Sequence, residues 1–248
     1  MVSFKNKVVV ITGASSGIGK AIAIEFAKKN ATVILAARRV QKLQELQTYI
    51  SSFNENCIYV KTDVTKENEV INLFNETEKL YGRIDILINN AGRGLKSEII
   101  NISFDDWLSV IHTNLTSVFF CTRESLKRMI KKKIKGHIIT ISSIAGLYGT
   151  PKYAAYCASK HGVTGFQRSL KWEVLKHGIK VSTIHPGRVD TEFFDIYKNR
   201  PSRSQMLSPK DIAIYITAIA SRFLPKIIGI RILNMFKRIY YFIRYTLK

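Results

Sequence analysis

At 248 residues the chain suits one α/β domain with a sizeable core and leaves little room for a second. A hydrophobic share of 46% excludes global disorder, and five scattered prolines mark no linker. The 39 basic residues against 18 acidic ones give a net charge of +21, a field that attracts cofactor phosphates, anionic lipids and nucleic acids alike and chooses among none of them.

In chain order, Val8-Val9-Val10-Ile11 is a short β-branched run that reads as a strand buried on both faces. A helix is predicted over Ile18 to Lys29, a second strand over Thr32 to Ala36 and a second helix over Val40 to Ser52. Ile58 to Lys61 is the third strand, Glu67 to Leu80 the third helix and Ile84 to Ile88 the fourth strand. Phe104 to Lys133 carries two helices, ending in the basic run Lys127 to Lys135, where cations complement a helix C-terminus. Gly136 to Ser142 contains strand five, Ala154 to Lys176 is a long helix, and Ile179 to Ile184 is strand six. This alternation predicts right-handed βαβ units: an α/β, Rossmann-like, doubly wound parallel sheet in three layers, as a single domain. The ligand belongs at the carboxyl ends of the strands, near the topological switch point.

No signal peptide is expected before the first strand, and no uncharged run approaches the roughly 18 residues of a membrane-spanning helix, so a cytoplasmic protein is expected. Cys57, Cys121 and Cys157 are odd in number and lack metal-ligand spacing, which fits reduced thiols. No His/Cys/Asp cluster suggests a metal, and no reading module or aromatic platform suggests nucleic acid.

Thr12-Gly13-Ala14-Ser15-Ser16-Gly17-Ile18-Gly19 joins the first strand to the first helix. Glycines there let backbone approach a pyrophosphate, and the helix N-terminus offers free N–H groups. It is not a P-loop, because Ala14 and Ala21 stand where that motif needs Gly and Ser/Thr. Strand two ends in Arg38-Arg39, with no acidic residue to take the ribose 2′-hydroxyl of NAD. Arginines suit the 2′-phosphate of NADP(H), so NADP(H) is expected ahead of NAD(H).

Taken together the motifs resemble the short-chain dehydrogenase/reductase family over about residues 5 to 190. The loop Thr12 to Gly19 is similar to the family's TGxxxGxG, Asp63-Val64 to its adenine-contacting pair, and Asn89-Asn90-Ala91-Gly92 to its NNAG segment. Asn114 stands where the family has its active-site asparagine. Ser143 precedes Tyr156 by thirteen residues, Tyr156-Cys-Ala-Ser-Lys160 matches YxxxK, and Pro186-Gly187, Val189 and Thr191 resemble the stretch that holds the nicotinamide amide. The resemblance implies catalytic Asn114, Ser143, Tyr156 and Lys160. It implies a cofactor held by Gly13, Ser15, Ser16, Gly17, Ile18, Gly19, Arg38, Arg39, Asp63, Val64, Asn90, Ala91, Gly92, Tyr156, Lys160, Pro186, Gly187, Val189 and Thr191. It also implies a metal-free mechanism, a water oriented by Asn114, and a homodimer through the helices that hold Tyr156 and the neighbours of Asn114.

The residues themselves support hydride chemistry. Reduction of a carbonyl needs a proton for the developing alkoxide, and a free phenol has a pKa of about 10. Tyr156 and Lys160, four apart on a predicted helix, share a face, so the ammonium is expected to lower that pKa. Ser143, at the end of strand five, can hold the substrate oxygen beside the phenol. Ser142 should face the other way, and His112 and His161 read as structural.

Residues about 190 to 208 are expected to form a substrate lid. Phe193, Phe194 and Tyr197, with Leu147, Tyr148 and Tyr153, either line an apolar pocket for a steroid-, lipid- or polyketide-like substrate or pack the lid onto the core. Residues 223–248 read as a basic amphipathic extension: Arg222 to Lys248 holds seven basic residues and no acidic one, with Ile228, Ile232, Phe236, Ile239 and Ile243 on the other side. Such a segment fits an anionic membrane surface or a protein contact. The sequence therefore offers two functions, an NADP(H)-dependent oxidoreductase or a membrane-associated redox sensor without turnover, and the complete Asn114, Ser143, Tyr156, Lys160 set favours the first.

Overall fold

The computed structural model describes residues 2–195 and 202–221. The strands are β1 (Val8–Thr12), β2 (Thr32–Ala37), β3 (Cys57–Lys61), β4 (Ile86–Asn89), β5 (His137–Ile141) and β6 (Lys180–Ile184). They form one parallel sheet in the order β3-β2-β1-β4-β5-β6, with Val9 opposite Val33, Val10 opposite Leu87 and Ile139 opposite Ser182. The helices are α1 (Gly17–Ala27), α2 (Val40–Ser51), α3 (Glu67–Tyr81), α4 (Phe104–Ile111), α5 (Ser117–Lys131), α6 (Ala154–Glu173) and α7 (Pro209–Ala220).

Side chains of a strand alternate between faces, and here both faces are dry. Val9, Ile11, Val33, Leu35 and Ile88 pack with Ile22, Phe26, Leu43, Ile212 and Ile216 from α1, α2 and α7. Val8, Val10, Ile34 and Leu87 point the other way, onto Val70, Leu73, Phe74, Met129 and Leu170 from α3, α5 and α6. The continuous apolar strands are thus the middle of a three-layer sandwich.

Three features depart from the sequence reading. Helix α7 lies beyond the predicted elements, although Ser208 caps it through its hydroxyl (3.1 Å from the Lys210 N–H), Pro209 begins it and Asp211 sits in its first turn. The two helices predicted over 104–133 are both present, and the unforeseen feature is the π-turn at His112–Thr116 that joins them. Strand β4 begins at Ile86, and Asp85 before it turns its carboxylate onto the start of β1, accepting from Val8 N at 3.0 Å and Lys7 Nζ at 3.0 Å. Among the described residues no helix is long and apolar enough to cross a membrane, and Cys57, Cys121 and Cys157 are all buried and unpaired. Residues 223–248, with Tyr197, lie outside the described residues.

Candidate active site

The chain order rises from β1 to β3 in one direction and from β4 to β6 in the other, so the switch point falls between β1 and β4. A cleft of about 410 Å³ opens there at the carboxyl ends of the strands. Its floor is the turn after β1. Gly13 has φ +65°, and a Cβ on it would meet Ala91 Cα at 2.9 Å. A Cβ on Gly19 would meet the Gly13 carbonyl oxygen at 2.3 Å, so α1 can begin this close to β1 only without a side chain. Thr12 Oγ1 accepts from the backbone N–H groups of Asn90 (3.0 Å) and Ala91 (3.1 Å), and Asn90 Nδ2 donates to Thr12 O (3.0 Å) and Gly13 O (3.2 Å). The segment after β4 therefore braces the glycine turn. What results is a backbone cradle that can take a pyrophosphate.

Cations stand at one end of this cradle. Arg38 and Arg39 follow β2 and are exposed. Arg39 donates to the Ser15 hydroxyl through Nε (3.1 Å) and Nη2 (3.0 Å), to Ser16, and through Nη1 to Glu192 (2.7 Å). Lys42 Nζ donates to the other Glu192 oxygen at 2.8 Å, and these bonds, Lys42's first and Arg39's second, hold the Glu192 pKa down to about 2. Asp63 accepts from Thr65 N (3.0 Å) and Oγ1 (2.8 Å). Burial works to raise its pKa, but those bonds and the nearby charge of Arg38 keep it below the usual carboxylate range.

The catalytic candidates meet at the other end. Ser143, just past β5, stands beside the Tyr156 phenol, whose pKa its hydroxyl works to lower, and that hydroxyl accepts from Ala145 N at 3.2 Å. Lys160 Nζ donates to Ile141 O at 3.0 Å and lies 5.8 Å from the Tyr156 ring centre. Asn114 is fully buried in the π-turn; its Oδ1 accepts from Arg93 N (2.8 Å), and its Nδ2 donates to Arg93 O (2.9 Å) and Ser159 Oγ (3.0 Å). A Cβ on Gly92 would fall 3.2 Å from Asn114 Oδ1 and 3.6 Å from Lys160 Nζ, so these three groups converge. The π-turn, a common device at functional sites, offsets α4 from α5 at the residue that has to face inward.

The electrostatics correct one expectation. Burial pushes Tyr156 up to about 12, against the effect of the Ser143 hydroxyl, and burial pushes Lys160 down to about 8. The spacing rightly placed both groups close together on α6, but the low polarity around them opposes the charged form of each.

Most of the sequence candidates line the one cleft: Gly13, Ser15, Ser16, Gly17, Ile18, Arg38, Arg39, Asp63, Val64, Asn90, Ala91, Gly92, Ser143, Tyr156, Lys160, Pro186, Gly187, Val189 and Thr191. Gly19 and Asn114 stand behind its wall as packing and bracing residues. Tyr153 and Phe193 border the cleft, and Phe193 packs on Tyr156 at 5.7 Å between ring centres. Leu147 and Tyr148 do not border it; they are exposed on the surface, because the short turn Ile144–Gly146 carries them outward. Ser142 also lines the cleft, but its hydroxyl turns to Lys160 O and Thr164. His161 bonds Cys157 O, one turn back on α6, as a structural group. Sequence reasoning passed over Arg93, Arg188, Glu192 and His185. The last holds Ser143 O at 3.0 Å through Nδ1, and burial lowers its pKa. Its place immediately before Pro186-Gly187 was the available signal. Among the described residues no group of three or more His, Cys, Asp and Glu side chains could hold a metal ion.

A profile of the short chain dehydrogenase family matches residues 7–201. The chain belongs to the short-chain dehydrogenase/reductase family. An uncharacterized oxidoreductase of Staphylococcus aureus strain MW2 is 37% identical over 213 residues, covering 86% of this chain and 90% of that protein. A short-chain dehydrogenase/reductase of Burkholderia phymatum, solved in complex with NAD, superposes with a TM-score of 0.83 at 29% identity over 90% of this chain and 89% of that one. An actinorhodin polyketide ketoreductase variant, solved with NADPH, superposes at 0.79 with 30% identity over 89% and 92%. As a member of this family the chain is an oxidoreductase of Rossmann-like fold.

Proposed function

We propose that this short-chain dehydrogenase/reductase uses NADP(H) to interconvert a carbonyl and a secondary alcohol, working chiefly as a reductase. The observation that carries the reading is the meeting of Ser143, Tyr156 and Lys160 at one end of a cleft whose other end is a glycine cradle flanked by Arg38 and Arg39. The cradle fits a dinucleotide: the close approach of backbone at Gly13 and Gly19 leaves main-chain N–H groups open to a pyrophosphate. The two arginines, with no acidic residue at the end of β2, suit a 2′-phosphate. When bound, the nicotinamide supplies the hydride and, oxidised, a positive charge.

The chain's own residues handle the proton. A protonated phenol is the donor that carbonyl reduction needs, and Tyr156 is protonated near neutral pH. The Ser143 hydroxyl, beside that phenol, positions the substrate oxygen at the same point. As the proton leaves, the phenolate that forms faces the Lys160 ammonium, which Ile141 O holds in place. Asn114 fixes the backbone of Arg93 and the side chain of Ser159, and so the wall between β4 and α6. Tyr153, Ile144 and Phe193 favour a substrate with an apolar body, while Arg93 and Arg188 border the same cleft.

The test is NADPH consumption over ketones of graded size, with NADH in parallel. Bulky apolar ketones are expected to outperform small sugars. Tyr156→Phe is expected to lower turnover by about 10²- to 10⁴-fold with NADPH binding retained; a variant that turns over normally removes the mechanism. Assembly as a homodimer through α5 and α6, and contact of residues 223–248 with anionic membrane, belong to the same reading. Light scattering of the full chain decides the first. Flotation with anionic liposomes, before and after deletion of residues 226–248, decides the second, and binding that survives the deletion rules it out.

A further inference from the structure

Glu192 is the acid that ties the two rims of the cleft together. It follows Thr191 at the start of the segment expected to close over substrate, yet both its oxygens belong to cations of the opposite rim: Arg39 Nη1 at 2.7 Å and Lys42 Nζ at 2.8 Å. Arg39 meanwhile lies on the hydroxyls of Ser15 and Ser16, so its guanidinium reaches Glu192 from the glycine turn itself. The neighbours of Glu192 touch the rest of the site. A Cβ on Gly17 would come within 3.0 Å of Thr191 Cγ2, and Phe193 rests on the Tyr156 ring. Three consecutive residues thus contact the glycine turn, the two cations and the phenol.

A carboxylate gripped by a guanidinium and an ammonium uses the donors that would receive a phosphate monoester. The bridge is also easily exchanged. Its side chains are 42–48% exposed, and surface ion pairs of that kind contribute little to folding. A phosphate carrying about −1.5 to −2 charges binds the same cations more strongly than one carboxylate and repels that carboxylate once beside it.

We propose that Glu192 occupies, on Arg39 and Lys42, the place taken by the 2′-phosphate of NADP(H), so that this cofactor must displace the carboxylate and Glu192 tempers the preference for NADP(H) over NAD(H). The inference rests on the reading of Arg39 given under Proposed function. NAD(H) has no phosphate to set against Glu192 and leaves the bridge intact. NADP(H) breaks it, and the backbone that carries Glu192 also carries Phe193, so release frees the ring that covers Tyr156.

Dissociation constants of NADPH and NADH for the full chain, Glu192→Gln, Arg39→Met and Lys42→Met test this. Glu192→Gln is expected to tighten NADPH on the order of three- to fivefold, the equivalent of one good surface ion pair, and to leave NADH within twofold. Arg39→Met and Lys42→Met should each weaken NADPH selectively. If Glu192→Gln weakens both cofactors alike, the bridge is a clasp that closes over bound dinucleotide and the proposal is overturned. An unchanged NADPH constant in Glu192→Gln overturns it equally. If neither Arg39→Met nor Lys42→Met discriminates between the cofactors, the NADP(H) reading itself fails, whatever Glu192→Gln does, and the proposal falls with it. Matching thermal melts of the variants exclude a folding defect as the cause.

Discussion

At the scale of single residues, Tyr156 and Lys160 carry shifts of opposite sign from one cause. Burial disfavours the charged form of each, so the phenol rises to about 12 and the ammonium falls to about 8. For Lys160 the folded pKa lies below the unfolded value of about 10.5. Between about pH 8 and 10.5 the unfolded chain therefore holds a proton that the folded chain has released, and stability rises with pH across that window. Below it the folded chain bears the whole cost of a buried cation. Lys160→Met should consequently have a higher urea midpoint than the parent at pH 7, with the gap narrowing by pH 10; a gap independent of pH contradicts the shift. For Tyr156 the sign reverses, and its contribution is lost as pH climbs from about 10 towards 12. The pairing of the two residues was legible in a spacing of four on one helix. The direction of the phenol's shift was not, since spacing says nothing of the solvent around a group. Glu192 was illegible for a related reason: its partners Arg39 and Lys42 are some 150 residues away in the chain.

At the scale of elements, alternation made the strands readable, because a sheet covered on both faces needs continuous apolar runs such as Val8–Ile11. Helix α7 was hidden by the expectation of a lid ahead of it, although its cap, its first-turn proline and the Ile212/Ile216 spacing mark it locally. The π-turn at Asn114 leaves no propensity signal, because it comes from an offset between two helices that pack on different neighbours. Beside the backbone ladder, a buried charge ties the start of β4 to the start of β1. Asp85, only 4% exposed, accepts from Arg83 Nε at 2.8 Å, Val8 N at 3.0 Å and Lys7 Nζ at 3.0 Å. Burial alone would raise its pKa, but these bonds, Arg83's foremost, hold it below the usual range. Its contribution is thus present above the unfolded value of about 3.9 and is lost as pH falls through the lower folded value. Asp85→Asn keeps the shape and removes the charge. Thermal unfolding at pH 7 should show a loss of about 2–3 kcal/mol, or roughly 5–10 °C for a chain of this size. That loss should shrink in acid, where the parent's own carboxylate is protonated.

At the scale of the whole molecule, the order of strands places the cleft and the excess of cations decides what approaches it. The alternation of elements was enough to anticipate a doubly wound sheet and a site at its switch point, but the net charge of +21 could not say which anion the chain meets. The cleft narrows the choice, since Arg38, Arg39, Arg93, Lys160 and Arg188 border it and, among the described residues, Asp63 is the one acid lining it, with Glu192 at its rim. A basic lining of this kind concentrates an anionic cofactor before contact, and added salt screens the attraction over a Debye length of about 10 Å at 0.1 M. Capture of NADPH, measured as kcat/KM under a saturating ketone, should therefore fall steeply as ionic strength rises from about 0.02 to 0.3 M. NADH, which lacks the 2′-phosphate's additional charge of about −1.5 to −2, should show a shallower slope, and a neutral ketone almost none. Parallel slopes for the two cofactors would place the salt-sensitive contacts at the pyrophosphate they share. Divergent slopes place them at the 2′-phosphate, as the proposed role of Arg38 and Arg39 requires.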